Sequence, residues 1–208
     1  MKRRTVLQAL TGGIVASAGC LSTLEEYRES DTAEDQATMN VSVREPDDAA
    51  MVSIGATLVE EATEDHPARI RVRLTNDAES QRTFRFGSSP PLSTYVSDRS
   101  GEDATLVLVP DDTSNVSIED RNDDSTFRLV PDQPTDGCWQ VVDRIVGQDI
   151  LQSRTVESGG SVTETFTVLA GADNDPCLPA DDYRFEAGFE VGEQRFDWSL
   201  VVSTTGKN

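Results

Sequence analysis

From Ala68 to Leu74 the chain alternates without a break: Ala68, Ile70, Val72 and Leu74 are apolar, and Arg69, Arg71 and Arg73 stand between them. A period of two has meaning only where successive side chains point to opposite faces, so this stretch predicts a strand buried on one face. After Asn76-Asp77-Ala78-Glu79-Ser80 the alternation resumes in Thr83-Phe84-Arg85-Phe86, which predicts a hairpin with both phenylalanines turned inward. Further strand-like runs cover Met51 to Val59, Ala104 to Val109, Thr126 to Val130, Trp139 to Val142, Val162 to Leu169, Tyr183 to Val191 and Arg195 to Val202. Each is bounded by Gly, Pro, Asp or Asn, and Gly192 supplies a short turn for the last hairpin. No stretch after residue 39 sustains an apolar period of 3.6 over three turns. Short strands punctuated by turns predict an all-β antiparallel sandwich over residues 40–208, one domain by size.

The first 39 residues follow another logic. Lys2, Arg3 and Arg4 precede an apolar run, Val6 to Ala18, that is diluted by Gln8, Thr11, Gly12, Gly13 and Ser17. That run is shorter than the roughly 20 apolar residues a bilayer span needs. A positive end, a short apolar run and small residues before a break make an export signal over residues 1–19, and the adjacent Arg3-Arg4 pair points to the twin-arginine route. Ser17-Ala18-Gly19-Cys20 resembles a lipobox, which implies lipid on the sulfur of Cys20 and Cys20 as the mature N-terminus. Ser17 stands where such boxes usually carry Leu. A signal cleaved without lipidation and a buried first helix are the alternatives. Residues 20–39 then form the anchor and a flexible acidic tether: Leu21 to Met39 holds six acids and few apolar residues, too few to offset ordering entropy. A chain of that length reaches about 20 to 25 Å.

Charge changes the picture of habitat more than of fold. Acids outnumber bases 38 to 18, for a net charge of −20, and losing Lys2, Arg3 and Arg4 with the signal makes it −23. The only lysines are Lys2 and Lys207. Such a chain repels itself in dilute salt, but at molar salt the Debye length falls to roughly 3 Å. The balance resembles that of proteins from salt-loving archaea; an acidic surface shaped for a basic partner is the alternative. Nucleic-acid binding is disfavoured, because phosphate contacts need clustered basic residues.

Two local resemblances sharpen the fold. Leu178-Pro179-Ala180-Asp181-Asp182-Tyr183 resembles the tyrosine corner of immunoglobulin-like folds, in which a tyrosine early in a late strand bonds back to the preceding corner. The segment from Arg69 to Leu108, with Leu74-Thr75-Asn76, Phe84, Phe86, Tyr95 and Asp98-Arg99-Ser100-Gly101, resembles the bacterial intracellular proteinase inhibitor (BsuPI) domain, itself an immunoglobulin-like sandwich. The resemblance implies, as an alternative function, protease inhibition through an exposed loop such as Ser88-Ser89-Pro90-Pro91-Leu92. Taken whole, the chain resembles a haloarchaeal-type twin-arginine lipoprotein carrying an immunoglobulin-like β-sandwich.

The chemistry-bearing residues are few. With Cys20 assigned to lipid, Cys138 and Cys177 remain, and an exported chain pairs an even remainder. Closing a loop of about 40 residues is worth about 3 to 4 kcal/mol in the chain-entropy account. Both cysteines sit in loop sequences, so the bridge is expected to tie loops and not the buried faces of two sheets. Asn40-Val41-Ser42 and Asn115-Val116-Ser117 are N-glycosylation sequons. The single histidine, His66, reads as a solvated loop residue, which leaves no metal site of the usual kind and no histidine-activated nucleophile. Asp120-Arg121-Asn122-Asp123-Asp124 opens like a calcium loop, but Ser125 replaces its glycine and Pro131 its final glutamate. Asp173-Asn174-Asp175 and Asp181-Asp182 are the other candidate ion clamps. Trp139 and Trp198 are expected in the core. Arg69, Arg71 and Arg73 share a strand face, and Arg85 is expected across the hairpin, a cluster explained either by pairing with acids such as Glu186 or Glu190 or by a partner-docking face. No catalytic residue, metal site or cofactor is assigned. The expectation is a lipid-anchored, non-catalytic protein on the outer face of the cytoplasmic membrane, binding an envelope protein or a solute. The alternatives are a protease inhibitor and an enzyme using carboxylates or calcium.

Overall fold

The computed structural model describes residues 38–46, 51–99, 101, 103–118, 128–142 and 144–205. The expected export signal with Arg3 and Arg4, Cys20, the expected tether up to residue 37 and the Asp120–Asp124 run lie outside them. The described chain is all-β. Eleven strands, β1 (Met39–Arg44), β2 (Val52–Glu60), β3 (Arg69–Asn76), β4 (Arg82–Phe86), β5 (Leu106–Pro110), β6 (Val116–Ile118), β7 (Ile145–Gly147), β8 (Gln152–Val156), β9 (Ser161–Ala170), β10 (Asp182–Val191) and β11 (Gln194–Thr204), build two main antiparallel sheets and a two-stranded ribbon. The front sheet runs β1-β11-β10-β4-β8, the back sheet β2-β3-β9-β5, and β6 pairs β7.

Alternation decides what faces inward. Ile70, Val72 and Leu74 of β3 are buried together with Phe84 and Phe86 of β4, Leu106 and Leu108 of β5, Phe166 of β9, Phe185 and Phe189 of β10, and Trp198 and Leu200 of β11. One apolar cluster fed by both sheets is the arrangement of a β-sandwich. Phe189 stacks on Phe196 and lies near Phe84 and Phe86. A second cluster, Tyr95, Val107, Val109, Leu129, Trp139, Val141, Ile145 and Leu169, lies on the other side of β5 and β9. It covers that part of the back sheet's outer face.

The expected hairpin between Arg69–Leu74 and Thr83–Phe86 does not form. β3 belongs to the back sheet and β4 to the front one, so residues 77–81 cross between sheets. A period of two is the same in a hairpin and in a crossing, which is why the pattern could not separate them. Fully buried Asn76 fixes the crossing: its amide nitrogen donates to the carbonyls of Ser80, Val156 and Glu157, and its backbone bonds Gly159 and Gly160. Phe84 and Phe86 still point inward, both essentially inaccessible to solvent.

One expected strand is a loop, and another lies partly outside the described residues. Trp139 to Val142 makes only a single bridge, Gln140 to Ala170, and its apolar residues Trp139 and Val141 bury in the second cluster without a ladder. In the run Thr126 to Val130, residues 126 and 127 lie outside the described set and Leu129 and Val130 form a bend. Conversely β1, β6, β7 and β8 were not expected. β8, Gln152-Ser153-Arg154-Thr155-Val156, has one buried residue and is held by its ladder to β4. The β10–β11 turn is as predicted, with Gly192 at φ +63°.

Candidate functional site

The back sheet's outer face is built by the odd positions of three neighbouring strands. Ser53, Gly55 and Thr57 on β2, Arg69, Arg71 and Arg73 on β3, and Ser161, Thr163 and Thr165 on β9 stand in register, with Gly55 opposite Arg73 and Thr57 opposite Arg71. The acid in this row is Glu60, which the bulge in β2 sets opposite Arg69 and not opposite Arg71 or Arg73. Arg69, at the margin, is half-buried and places one guanidinium nitrogen 2.8 and 2.6 Å from the two carboxylate oxygens of Asp111. Arg71 and Arg73 are exposed, and neither has an acidic partner among the described residues. Their cross-strand neighbours are glycine and threonine, so the pairing with acids that would satisfy a sheet arginine is absent here.

Arg85 is not part of this group. It lies on the front sheet, directly opposite Glu190, and ion-pairs with it at 2.7 Å while donating to the Gly192 carbonyl. The expected four-arginine cluster is therefore three arginines on one sheet and one on the other. The front sheet's outer face carries charges that answer one another: Arg184 lies 2.5 Å from Glu186, and Arg195 donates to Asp197 at 2.9 Å. Between this face and residues 87–94 and 148–151 lies an open groove of about 490 Å³. Gly188 forms its floor, where an added Cβ would meet Asp197 Oδ1 at 2.9 Å and Arg195 Nη2 at 3.3 Å. Glycine thus lets that ion pair lie flat across β10.

The sequence-derived loop candidates take structural roles. Ser88, Ser89 and Leu92 are buried: the Tyr95 hydroxyl bonds both serine hydroxyls, and the Ser88 carbonyl accepts from Asn115 and Gln152. The stretch proposed to protrude into a protease is thus packed inside the molecule, because its serines satisfy buried partners and its leucine joins the core. Asn174 caps the backbone of Thr105 in both directions and donates to the Cys177 carbonyl, and Asp181 accepts from Gly101 and Asp182. Among the described residues no three His, Cys, Asp or Glu side chains gather to hold a metal ion. Cys138 and Cys177 lie at disulfide-bonding distance with Cα atoms 5.9 Å apart, joining two loops. His66 is exposed, its Nδ1 beside the Pro67 carbonyl, and Trp139 donates to the Thr63 carbonyl at 2.7 Å. Asn40 is exposed on β1, whereas Asn115 is half-buried with its amide engaged by Ser88.

Among the described residues, the carboxyl groups of Asp112 and Glu164 are perturbed. Hydrogen bonds from the Ser114 side chain and backbone hold Asp112 below the usual carboxylate range. Glu164 stands in the inward row of β9 between Val162 and Phe166, and burial raises its carboxyl, offset in part by backbone N–H groups of Thr165, Asp112 and Asp111. The sequence offered no sign of it, since Glu164 reads there as one more acid in a Thr-Glu-Thr run. No family model, curated protein or solved structure matches the chain.

Proposed function

We propose that this protein is a lipid-anchored, extracytoplasmic and non-catalytic binding module. In this reading Arg3 and Arg4 direct export, Cys20 carries the lipid, the acidic tether spaces the domain from the headgroups, and an immunoglobulin-like sandwich engages an envelope partner. The immunoglobulin-like assignment is supported by the Tyr183 hydroxyl, buried and donating to the Pro179 carbonyl at 2.9 Å, as a tyrosine corner requires. Ladders of β3 with β9, and of β10 with both β4 and β11, fit the same plan.

The observation that carries the binding role is the outer face around Arg71 and Arg73, two exposed arginines with no acidic partner among the described residues. In a chain of net −20, exposed cations would ordinarily find carboxylates nearby, and the front sheet shows them doing so. Leaving Arg71 and Arg73 among hydroxyls keeps their donors available to a second molecule. A protease-inhibitor role finds no support, its reactive loop being interior.

Mass spectrometry of the membrane fraction tests the anchor: the expected mature N-terminus is lipid-bearing Cys20, and any other terminus contradicts it. For the binding role, the exported Cys20→Ser protein is expected to stay partly with the envelope and to be released when Arg71→Gln and Arg73→Gln are added. Equal release of both forms contradicts a binding role for this face.

A further inference from the structure

We propose that Asn40 carries an N-linked glycan and that Asn115, in the second sequon, stays bare. This rests on the extracytoplasmic part of the reading above and adds a modification site to it. Both sequons read Asn-Val-Ser, so only their surroundings tell them apart.

Asn40-Val41-Ser42 lies in β1, which is joined by a ladder to β11 alone. Alternation turns Met39, Val41 and Val43 toward the core and leaves Asn40, Ser42 and Arg44 exposed. The asparagine and the serine of the sequon therefore share one outward face, roughly 7 Å apart along the strand. Among the described residues no hydrogen bond or ion pair engages either side chain. A substituent on the Asn40 amide enters solvent and displaces nothing.

Asn115 stands differently. It is half-buried just before β6, whose first residue, Val116, is buried. Its amide nitrogen donates to the carbonyl of buried Ser88 at 3.3 Å, and that carbonyl also accepts from Gln152. The backbone carbonyl of Asn115 accepts from the Gln148 N–H at 3.1 Å. The atom that would take the sugar is thus turned toward residues 88, 148 and 152, in a contact that ties β6 to the loop after β4. A glycan there has to open that contact; one on Asn40 does not.

The donor this chemistry requires is an oligosaccharide joined through its anomeric carbon to a polyprenyl phosphate. Asn40 Nδ2 forms a bond to that carbon as the bond from the carbon to the phosphate oxygen breaks. The lipid phosphate leaves with the electron pair and takes up the proton that the amide loses, so nothing is oxidised or reduced. The serine two residues on supplies the hydroxyl that completes the sequon. The product is a neutral amide with a bulky, hydrated substituent on the β1 side of the front sheet's outer face. Arg71 and Arg73 stand on the outer face of the other sheet, so the glycan leaves them clear.

The test is peptide mapping by mass spectrometry of the full-length protein purified from its native host. Trypsin separates the two sequons, cutting after Arg28 and Arg44 around Asn40 and after Arg99 and Arg121 around Asn115. The 29–44 fragment is expected to carry added mass in sugar-sized steps, and the 100–121 fragment its unmodified mass. Asn40→Gln and Ser42→Ala should each abolish the added mass, Ser42→Thr should keep it because the hydroxyl remains, and Asn115→Gln should leave it unchanged. Sugar on Asn115, or added mass that survives Asn40→Gln, overturns the proposal. A bare Asn40 in a protein whose N-terminus is lipid-bearing Cys20 also overturns it and leaves the anchored reading standing. A bare Asn40 in a chain that keeps its first 19 residues overturns both.

Discussion

The two outer faces of this sandwich are made by the same sequence device, a strand with charged residues at alternate positions, and they end in opposite states. On the front sheet Arg85 meets Glu190 across the β4–β10 ladder, and Arg195 meets Asp197 along β11. On the back sheet Arg71 and Arg73 meet Thr57, Gly55, Thr163 and Thr165. The difference lies entirely in the neighbours, since a strand's own alternation says which residues point outward and nothing about who stands beside them. An arginine paired within its sheet is spent on the fold; one left among hydroxyls keeps its donors for a partner. The back face is also divided, because the second apolar cluster covers its β5 side and, among the described residues, does not reach the β2–β3 side.

The largest expected effect probes the core that both faces share. Phe84→Ala should cost about 3 to 5 kcal/mol in urea denaturation and unfold both sheets in one transition. Two separated transitions would break the picture of faces hung on a common core. Next, replacing Cys138 and Cys177 by alanine should cost about 3 kcal/mol and loosen the second cluster, read by Trp139 fluorescence, with Arg71 and Arg73 remaining as accessible as before. The face comparison itself is sharpened by a double-mutant cycle. Arg85→Ala with Glu190→Ala should show a coupling of about 0.5 kcal/mol that falls with salt, whereas Arg71→Gln and Arg73→Gln should each change stability by less than about 0.5 kcal/mol.

The smallest effect concerns Glu164. Its folded carboxyl titrates above the unfolded value of 4.5, so the folded state holds the proton more tightly and stability declines as pH rises from 4.5 through the raised value. Glu164→Gln keeps an acceptor for the surrounding N–H groups and removes the buried charge. It should raise the neutral-pH melting temperature by about 1 to 2 °C, with the gain vanishing below pH 4.5. A loss of stability at neutral pH would mean that its hydrogen bonds outweigh its burial.

Period-two alternation sufficed for the strands that bury one face: β2, β3, β4, β9, β10 and β11 all lie where Ile, Val, Leu and Phe alternate with polar residues. It was silent on β8, whose residues are mostly polar and whose place comes from pairing with β4, and it misread Trp139 to Val142, where apolar side chains bury from a loop. The cysteine pairing and the bond of Tyr183 to the Pro179 corner were legible because each depends on few residues at fixed offsets. The candidate face was legible only in half. Arg69, Arg71 and Arg73 declare themselves on one strand, but Gly55 and Thr165 come from strands 16 and 94 positions away from Arg71, and Arg85 left the group once the chain crossed between sheets.

Retention of the exported Cys20→Ser protein by the envelope tests the central claim most directly, since it reads whether Arg71 and Arg73 engage a second molecule once the lipid is gone. That protein should stay partly with the envelope and be released when Arg71→Gln and Arg73→Gln are added, whereas Arg85→Ala, whose ion pair with Glu190 is internal to the front sheet, should leave retention unchanged. Equal release of all three forms would contradict the account.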